Sequence, residues 1–486
     1  MEQKSLKLNM ILNAVKGLLG ILFPLITFPY ISKVLGVENI GKYIFAYSII
    51  NYFVLIAGLG IATYAVREGA YIRGDLQKLQ RFSDEIFSLN IVSTVFSYLL
   101  LIVVVYITPK MQEYKILLFI LSLQIMFKAL GVEWIYSIYE DYTYITIRSV
   151  LFQIISLILM FSFVKTDGDI NKYAIITVIS AVGSNILNYV HSKRYLTIRL
   201  IKNFGWKIHA KPIMVLFATT LMVTVYVSSD ITILGFLCND EIVGVYSVST
   251  KIYTIVKTIL SSVIVVSIPR ISALLSNGNR EVVNAVAQDI YETLLSISLP
   301  AVTGIILLRK QIVLLISAQE YIRATSSLLL LSLALFFCMG VYFWGQCILV
   351  PLKKEKIVFK ATVLSALANI ILNLILIPIW QENAAAFSTI VAEAISYYYC
   401  LYWGKQEICM QNTEKTIIKI IIGCIGIVLV VSVFHNLIGN KIVYLIASIA
   451  GSIFIYVIIE ILLKNHAVST IAGIRHISER FTKKNN

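Results

Sequence analysis

Charge is scarce in this sequence. Only 14% of the 486 residues are charged, against about 25% in a typical soluble domain. In its place stand 58% hydrophobic residues and a mean hydropathy of +0.85, which excludes a water-soluble globular protein. Long polar segments are missing too, and no break between apolar runs has room for a soluble domain. The six cysteines form no C-x-x-C pair and mostly sit inside apolar runs, so they read as small core residues, not as disulfides or ligands. The five histidines are scattered without metal spacing, and neither a metal nor a cofactor is expected. A β-barrel would alternate polar and apolar residues in segments of about ten. Here the apolar runs are continuous and long.

A helix needs about 20 apolar residues to cross a hydrocarbon core of about 30 Å. On that criterion the sequence predicts an all-α polytopic membrane protein of 14 helices, at 8–31, 43–66, 82–107, 115–138, 143–164, 172–191, 212–237, 243–268, 284–308, 321–350, 357–379, 384–403, 415–435 and 441–463. Turn chemistry marks the breaks: Thr108-Pro109, Asp167-Gly168-Asp169, Asn239-Asp240, Asn277-Gly278-Asn279 and Gln381-Glu382-Asn383. The stretch from Leu8 to Ile31 follows Lys4 and Lys7 as a secretory signal does. It is too long for one, contains Pro24 and Pro29, and has no A-x-A site, so it reads as the first helix.

The chain repeats itself. Aligning Gly41 with Gly244 places Glu38, Tyr43 and Arg67 on Glu241, Tyr246 and Arg270 at a common offset of 203. A second echo sets 147–164 against 359–376, with Arg148 opposite Lys360. Parallel internal repeats are a common build for transporters. The expected organisation is two pseudo-symmetric six-helix lobes, 1–192 and 212–404, joined by a basic cytoplasmic linker at 193–211. Two further helices at 405–463 and a basic tail at 464–486 complete it. Ile198, Leu200, Ile201, Phe204 and Trp206 among six basic residues suit a linker lying on the inner membrane surface or simply solvated.

With the N-terminus inside, 27 of the 41 Lys and Arg fall on the cytoplasmic side, 10 on the external side and four within the membrane. Both termini are therefore expected in the cytoplasm. The net charge of +15 belongs to this asymmetry and to anionic headgroups. No nucleic-acid-binding motif accompanies it.

A cation at the bilayer centre costs roughly 2.5–3.5 kcal/mol on insertion scales, so Lys16, Lys128, Lys251 and Lys257 ask for a reason. On the helix at 243–268, Ser247, Thr250, Lys251, Thr254, Lys257, Thr258, Ser261 and Ser262 fall within an arc of about 140°, opposite Ile252, Val256, Ile259, Leu260 and Val263. That face is expected to line a cavity, with interhelical hydrogen bonding as the other use of the hydroxyls. Asp230 is a candidate for ion pairing or for a coupling cation, and so is Glu133. Lys128 and Glu133, five apart, would stand about 140° apart on one straight helix. Lys16 suits a cavity or snorkelling equally. Glu393 has no partner visible in the sequence. Several cations and hydroxyls together ask for an anionic passenger rich in hydroxyls, such as a phosphorylated sugar lipid.

Three stretches carry a resemblance. Residues 131–164, GVEWIYSIYEDYTYITIRSVLFQIISLILMFSFV, residues 230–247, DITILGFLCNDEIVGVYS, and residues 23–50, FPLITFPYISKVLGVENIGKYIFAYSII, resemble the O-antigen and capsule repeat-unit flippases of the multidrug/oligosaccharidyl-lipid/polysaccharide superfamily. The resemblance implies two six-helix bundles facing a central cavity, plus two helices. It also implies a transporter, not an enzyme, moving an undecaprenyl-diphosphate-linked oligosaccharide across the bacterial inner membrane by alternating access. Arg148 lies in the first motif and joins Lys251, Lys257, Lys16, Lys128, Thr254 and Thr258 as a substrate-binding candidate. Lys251 falls where related peptidoglycan-precursor flippases carry Arg, a change that keeps charge but gives up bidentate geometry. Anionic lipids, a separate polymerase and a chain-length regulator are the implied partners. A multidrug antiporter of the same superfamily is the nearer alternative, although its cationic drugs would be repelled by lysines. A polysaccharide polymerase or ligase is further off, because the external loops are short.

Overall fold

The computed structural model describes residues 6–202, 204–276, 280–410 and 413–465. Among them, 13 helical stretches are long and apolar enough to cross a membrane. The first, Phe23–Ile72, merges the first two expected helices, and the other 12 correspond to the remaining ones. The expected basic tail falls almost wholly outside the described residues.

Contacts divide the chain into two compact units, Met1–Gly244 and Val245–Asn486. In the first, α1 (Leu6–Gly58) is two helices run together across Gly36, whose φ of 73° and ψ of 172° break the spiral. A second break, at Leu59 and Gly60 with φ of 45° and 72°, separates α2 (Ile61–Ile72), although an unbroken helix is expected there. A break strands carbonyls; α3 (Leu76–Ile107) satisfies that of Ala57 and adds a bond to the Phe53 oxygen one turn earlier. Asn90 Nδ2 donates to the Ala57 oxygen at 2.9 Å, Ser93 Oγ to the same oxygen at 2.6 Å, and Ser97 Oγ to the Phe53 oxygen at 2.7 Å. Asp75 caps α3, and its carboxyl is held below the usual range first by the Lys78 N–H and then by the Lys78 side chain.

After the short α4 (Pro109–Glu113), the expected helix over 115–138 is divided. It becomes α5 (Lys115–Leu130) and α6 (Glu133–Ile138) around Val132, which has a φ of 37°. Then come α7 (Tyr142–Phe163), α8 (Ile170–Val178), a π turn at Ile179–Gly183 and α9 (Asn185–Ser192).

The linker is held by protein. Residues 197, 199 and 201 turn their backbones to one side of α3: Gln80 exchanges two hydrogen bonds with Thr197, Asp84 accepts from the Arg199 N–H, and Ser88 accepts from the Ile201 N–H. Leu196 and Ile198, the alternate residues, bury in the core beside Tyr64, Phe82 and Trp134. Only part of the expected surface-lying set remains uncovered, including Leu200 and Trp206.

α10 (Trp206–Leu237) packs in this first unit. Its His209 bonds the Tyr64 hydroxyl at 2.9 Å and Glu85 at 3.0 Å. The Phe45 ring lies where a Cβ at Gly235 would be. The division by packing therefore differs from the division by sequence repeat, which assigns 212–237 to the second lobe. Lys110 Nζ closes the end of α10 by donating to the Phe236 and Cys238 oxygens at 3.2 and 3.0 Å.

α11 (Asp240–Ser276) begins in the first unit and continues into the second. There follow α12 (Arg280–Ile316), α13 (Ala324–Val341) with a π segment at Tyr342–Leu349, α14 (Glu355–Trp380), α15 (Glu382–Gly404), α16 (Thr413–Leu437) and α17 (Lys441–Leu462). Helices in lipid associate through close backbone approach, which small residues permit. On α15 most of the buried residues are small, Ala384, Ala385, Ala386, Ser388, Ala392, Ser396, Cys400 and Gly404 among them, with the Trp344 ring where a Cβ at 404 would stand. Pro300 denies α12 one backbone bond to the Ser296 oxygen. The Tyr456 hydroxyl of α17 takes its place at 2.8 Å.

Candidate functional site

In the second unit, α11 has two unlike sides. Thr254, Thr258 and Ser262 are uncovered by protein, and Lys251 is half-buried on the same arc. Val256, on the opposite side, helps wall an apolar groove of about 460 Å³ with Pro300, Gly304, Leu308, Ile427 and Tyr456. The expected dry side is only partly buried. Ile252 and Leu260 are each 3% exposed, but Ile259 is 56% exposed.

Lys257 stands at the edge of the hydroxyl arc and is engaged. Its Nζ lies 3.8 Å from Glu393 Oε1, and 5.5 and 5.8 Å from the centroids of the Tyr253 and Tyr342 rings. The Tyr253 hydroxyl donates to the same Glu393 oxygen at 3.2 Å. Glu393 is 3% exposed, and Lys257 is the partner that the sequence does not reveal. The buried Glu393 carboxylate offsets the half-buried Lys257 ammonium, so Lys257 is compensated. Tyr253 was within reach of sequence reasoning, being one turn from Lys257. Glu393 and Tyr342 come from distant helices, and no local signal points to them.

In the first unit, Lys128 and Glu133 line one cavity of about 270 Å³ together with Asn51, Asn90, Gln124 and Asn185. The straight-helix expectation that keeps them apart fails because the chain turns at Val132 between them. Arg148 is 5% exposed and gives Glu133 an ion pair of 2.6 Å, so it stands behind the cavity wall as a partner of an acid. Asp230 is buried in α10, two residues from Thr232, whose hydroxyl bonds the Tyr52 hydroxyl at 3.3 Å. The Lys16 side chain lies outside what the structure describes. Among the described residues, no group of three His, Cys, Asp or Glu is placed to hold a metal.

Two family models match the sequence: "Polysaccharide biosynthesis protein" over residues 6–275 and "MatE" over residues 215–375. The chain belongs to the polysaccharide biosynthesis protein family. It is a multi-pass membrane transporter of the superfamily that also holds the multidrug exporters, not an enzyme. A curated relative from Escherichia coli (strain K12), named "Putative O-antigen transporter", is 22% identical over 403 residues, covering 80% of this chain and 94% of its own. The fold is similar to that of the lipid II flippase MurJ in an inward closed conformation, with a TM-score of 0.75 at 20% identity, covering 94% of this chain and 99% of that one. It is less similar to an inward-facing multidrug MATE transporter, at a TM-score of 0.54 and 12% identity over 79% of this chain and 97% of that one.

Proposed function

We propose that this transporter is a flippase for undecaprenyl-diphosphate-linked oligosaccharide repeat units in the bacterial inner membrane, serving O-antigen, capsule or exopolysaccharide assembly. The observation that carries the reading is the two-sidedness of α11: Lys251, Thr254 and Thr258 on one side, the wall of an apolar groove on the other. A lipid-linked sugar needs both surfaces. The hydroxyls exchange hydrogen bonds with sugar and the ammonium attracts phosphate, while the polyprenyl chain keeps to apolar surface. The name of the E. coli relative and the fold shared with a lipid II flippase support the same class of passenger.

In this mechanism no bond is made or broken. The glycan diphosphate enters a cationic central cavity from the cytoplasmic side, the chain stays in the groove or the bilayer, and alternating access delivers the head group to the external leaflet. Both termini are cytoplasmic in this arrangement.

The test is genetic and chemical. A strain deprived of its repeat-unit flippase, given this gene together with its own synthesis genes, should regain surface polymer. Unchanged accumulation of lipid-linked repeat units on the inner leaflet would refute the reading. Raised drug resistance without polymer would favour a multidrug antiporter instead.

A further inference from the structure

Three interruptions of regular helix border one cavity. Gly58, just before the break at Leu59 and Gly60, lines the first unit's cavity of about 270 Å³. So do Val132, at the break between α5 and α6, and Ala181 and Val182 of the π turn. A β-branched residue at a φ of 37° is strained, and both such strain and π turns gather at functional sites. The cavity is what the three distortions have in common.

Its lining is rich in amides: Asn51, Asn90, Gln124 and Asn185. Two of them are fixed, Asn90 donating to the Ala57 oxygen at 2.9 Å and Asn185 to the Phe127 oxygen at 3.0 Å. Gln124 is 6% exposed, and its Nε2 has no hydrogen-bond partner among the described residues. A buried amide left unpaired is costly, and a ligand that accepts from it recovers the loss. Two charges share the lining. Glu133 is taken by Arg148, whereas Lys128 is exposed and makes no ion pair among the described residues. Tyr47 and Trp134 add aromatic surface, and Val54, Ile61 and Ile125 add aliphatic surface.

We infer that this cavity seats one N-acylated sugar residue of the passenger, with the exposed Lys128 taking the phosphate bonded to that sugar. The inference rests on the flippase reading for the passenger, and it names the sugar chemistry that the first unit selects. The lining lies wholly between Tyr47 and Asn185, so the pocket is complete within that unit. Its volume falls just under the roughly 300–1,000 Å³ of small-molecule sites, which suits one sugar ring and not a whole repeat unit. An acetamido group presents an N–H and a carbonyl together, and a carboxamide side chain answers both. Its methyl group meets the aliphatic wall. A plain hydroxyl at the same carbon leaves part of this set unmet, and a site built to pair a polar group discriminates against the analogue that lacks it.

The experiment titrates the purified full-length chain in detergent with UDP-N-acetylglucosamine and UDP-N-acetylgalactosamine as probes, and with UDP-glucose and UDP alone in parallel. The UDP diphosphate stands in for that of the carrier lipid. Binding is read by ligand-observed saturation-transfer NMR. At least one N-acetylated probe should bind at least fivefold more tightly than UDP-glucose or UDP, with its acetamido methyl among the most saturated protons. Nothing lies within 4 Å of where a Cβ at Gly58 would stand, so Gly58→Leu should fill the pocket and bring the N-acetylated probes down to the affinity of UDP. Gln124→Leu should erase the preference over UDP-glucose. UDP binding retained in both variants shows that they fold, and Lys128→Gln, at an exposed position, should weaken all four ligands alike. Equal binding of all four by the wild-type chain overturns the inference and makes the cavity a water-filled void. So does an acetyl preference that survives Gly58→Leu. The two readings fail separately. Polymer restored by the wild-type gene without acetyl preference leaves the flippase standing and removes this pocket. Acetyl preference without polymer does the reverse.

Discussion

Gly41 and Gly244 make the same contact in reciprocal form: Gly41 abuts the carbonyl oxygen of Asp240, and Gly244 abuts the carbonyl oxygen of Val37. Both the two glycines and the two residues they meet are separated by 203 positions. All four residues belong to the first unit. Neither position has room for a Cβ, so the approach is backbone on backbone.

Gly41→Ala should therefore lower the melting temperature of the purified protein by several degrees, overpacking costing typically about 1–3 kcal/mol. Gly244→Ala should match it. Gly58→Ala, where nothing lies within 4 Å of the added carbon, should be neutral or better, since Ala favours helix. Equal melting of all three would mean the contact yields freely.

Lys257 and Glu393 should show strong coupling in a double-mutant cycle. Lys257→Gln leaves Glu393 charged, 3% exposed and without its cation, a situation that costs about 3–5 kcal/mol. Adding Glu393→Gln should recover most of the loss. Additive losses would show that the pair contributes nothing as a pair.

At Lys251 charge should matter more than shape. Lys251→Ala should reduce polymer output at least tenfold at equal membrane abundance, and Lys251→Arg should keep it. Ile259→Ala is the control, since Ile259 is 56% exposed, whereas Ile252 at 3% exposed would confound the result by opening a core cavity. Normal output from Lys251→Ala removes the hydroxyl face of α11 from the substrate path.

Topology is open to direct labelling. In a variant without native cysteines, a cysteine at Asn171 should react with an impermeant reagent in intact cells, and one at Lys207 only after lysis. The opposite pattern reverses the orientation.

Release of the linker should be visible to a protease. In inside-out vesicles, Gln80→Ala with Asp84→Ala removes side chains holding Thr197 and Arg199, each hydrogen bond being worth about 0.5–1.5 kcal/mol. Trypsin should then cut after Arg199 or Lys202 several times faster. An unchanged rate means the buried Leu196 and Ile198 hold the segment alone.

The membrane-spanning pattern was legible because runs of apolar residues long enough to span are a local property, and 12 of the 13 spans correspond one to one with apolar runs. The 203-residue offset also found the glycines that later proved to be in reciprocal contact. What escaped was set by distant parts of the chain. Within 115–138 only Gly131 hints at the turn at Val132, which brings Lys128 and Glu133 to one cavity. Glu393 finds its cation on another helix. The linker's apolar residues were expected on the membrane surface or in a solvated segment, and the structure buries Ile198 in the protein core instead.

The linker's backbone ladder on α3 distributes evolutionary freedom unevenly. The linker presents only its main chain to Gln80, Asp84 and Ser88, and a main chain is the same whatever residue it belongs to. Thr197, Arg199 and Ile201 can drift to other amino acids, proline apart, and remain attached. Gln80, Asp84 and Ser88 cannot drift in the same way. An insertion of one residue near 198 would exchange the inward and outward sets at once, so the segment should tolerate substitution readily and changes of length hardly at all.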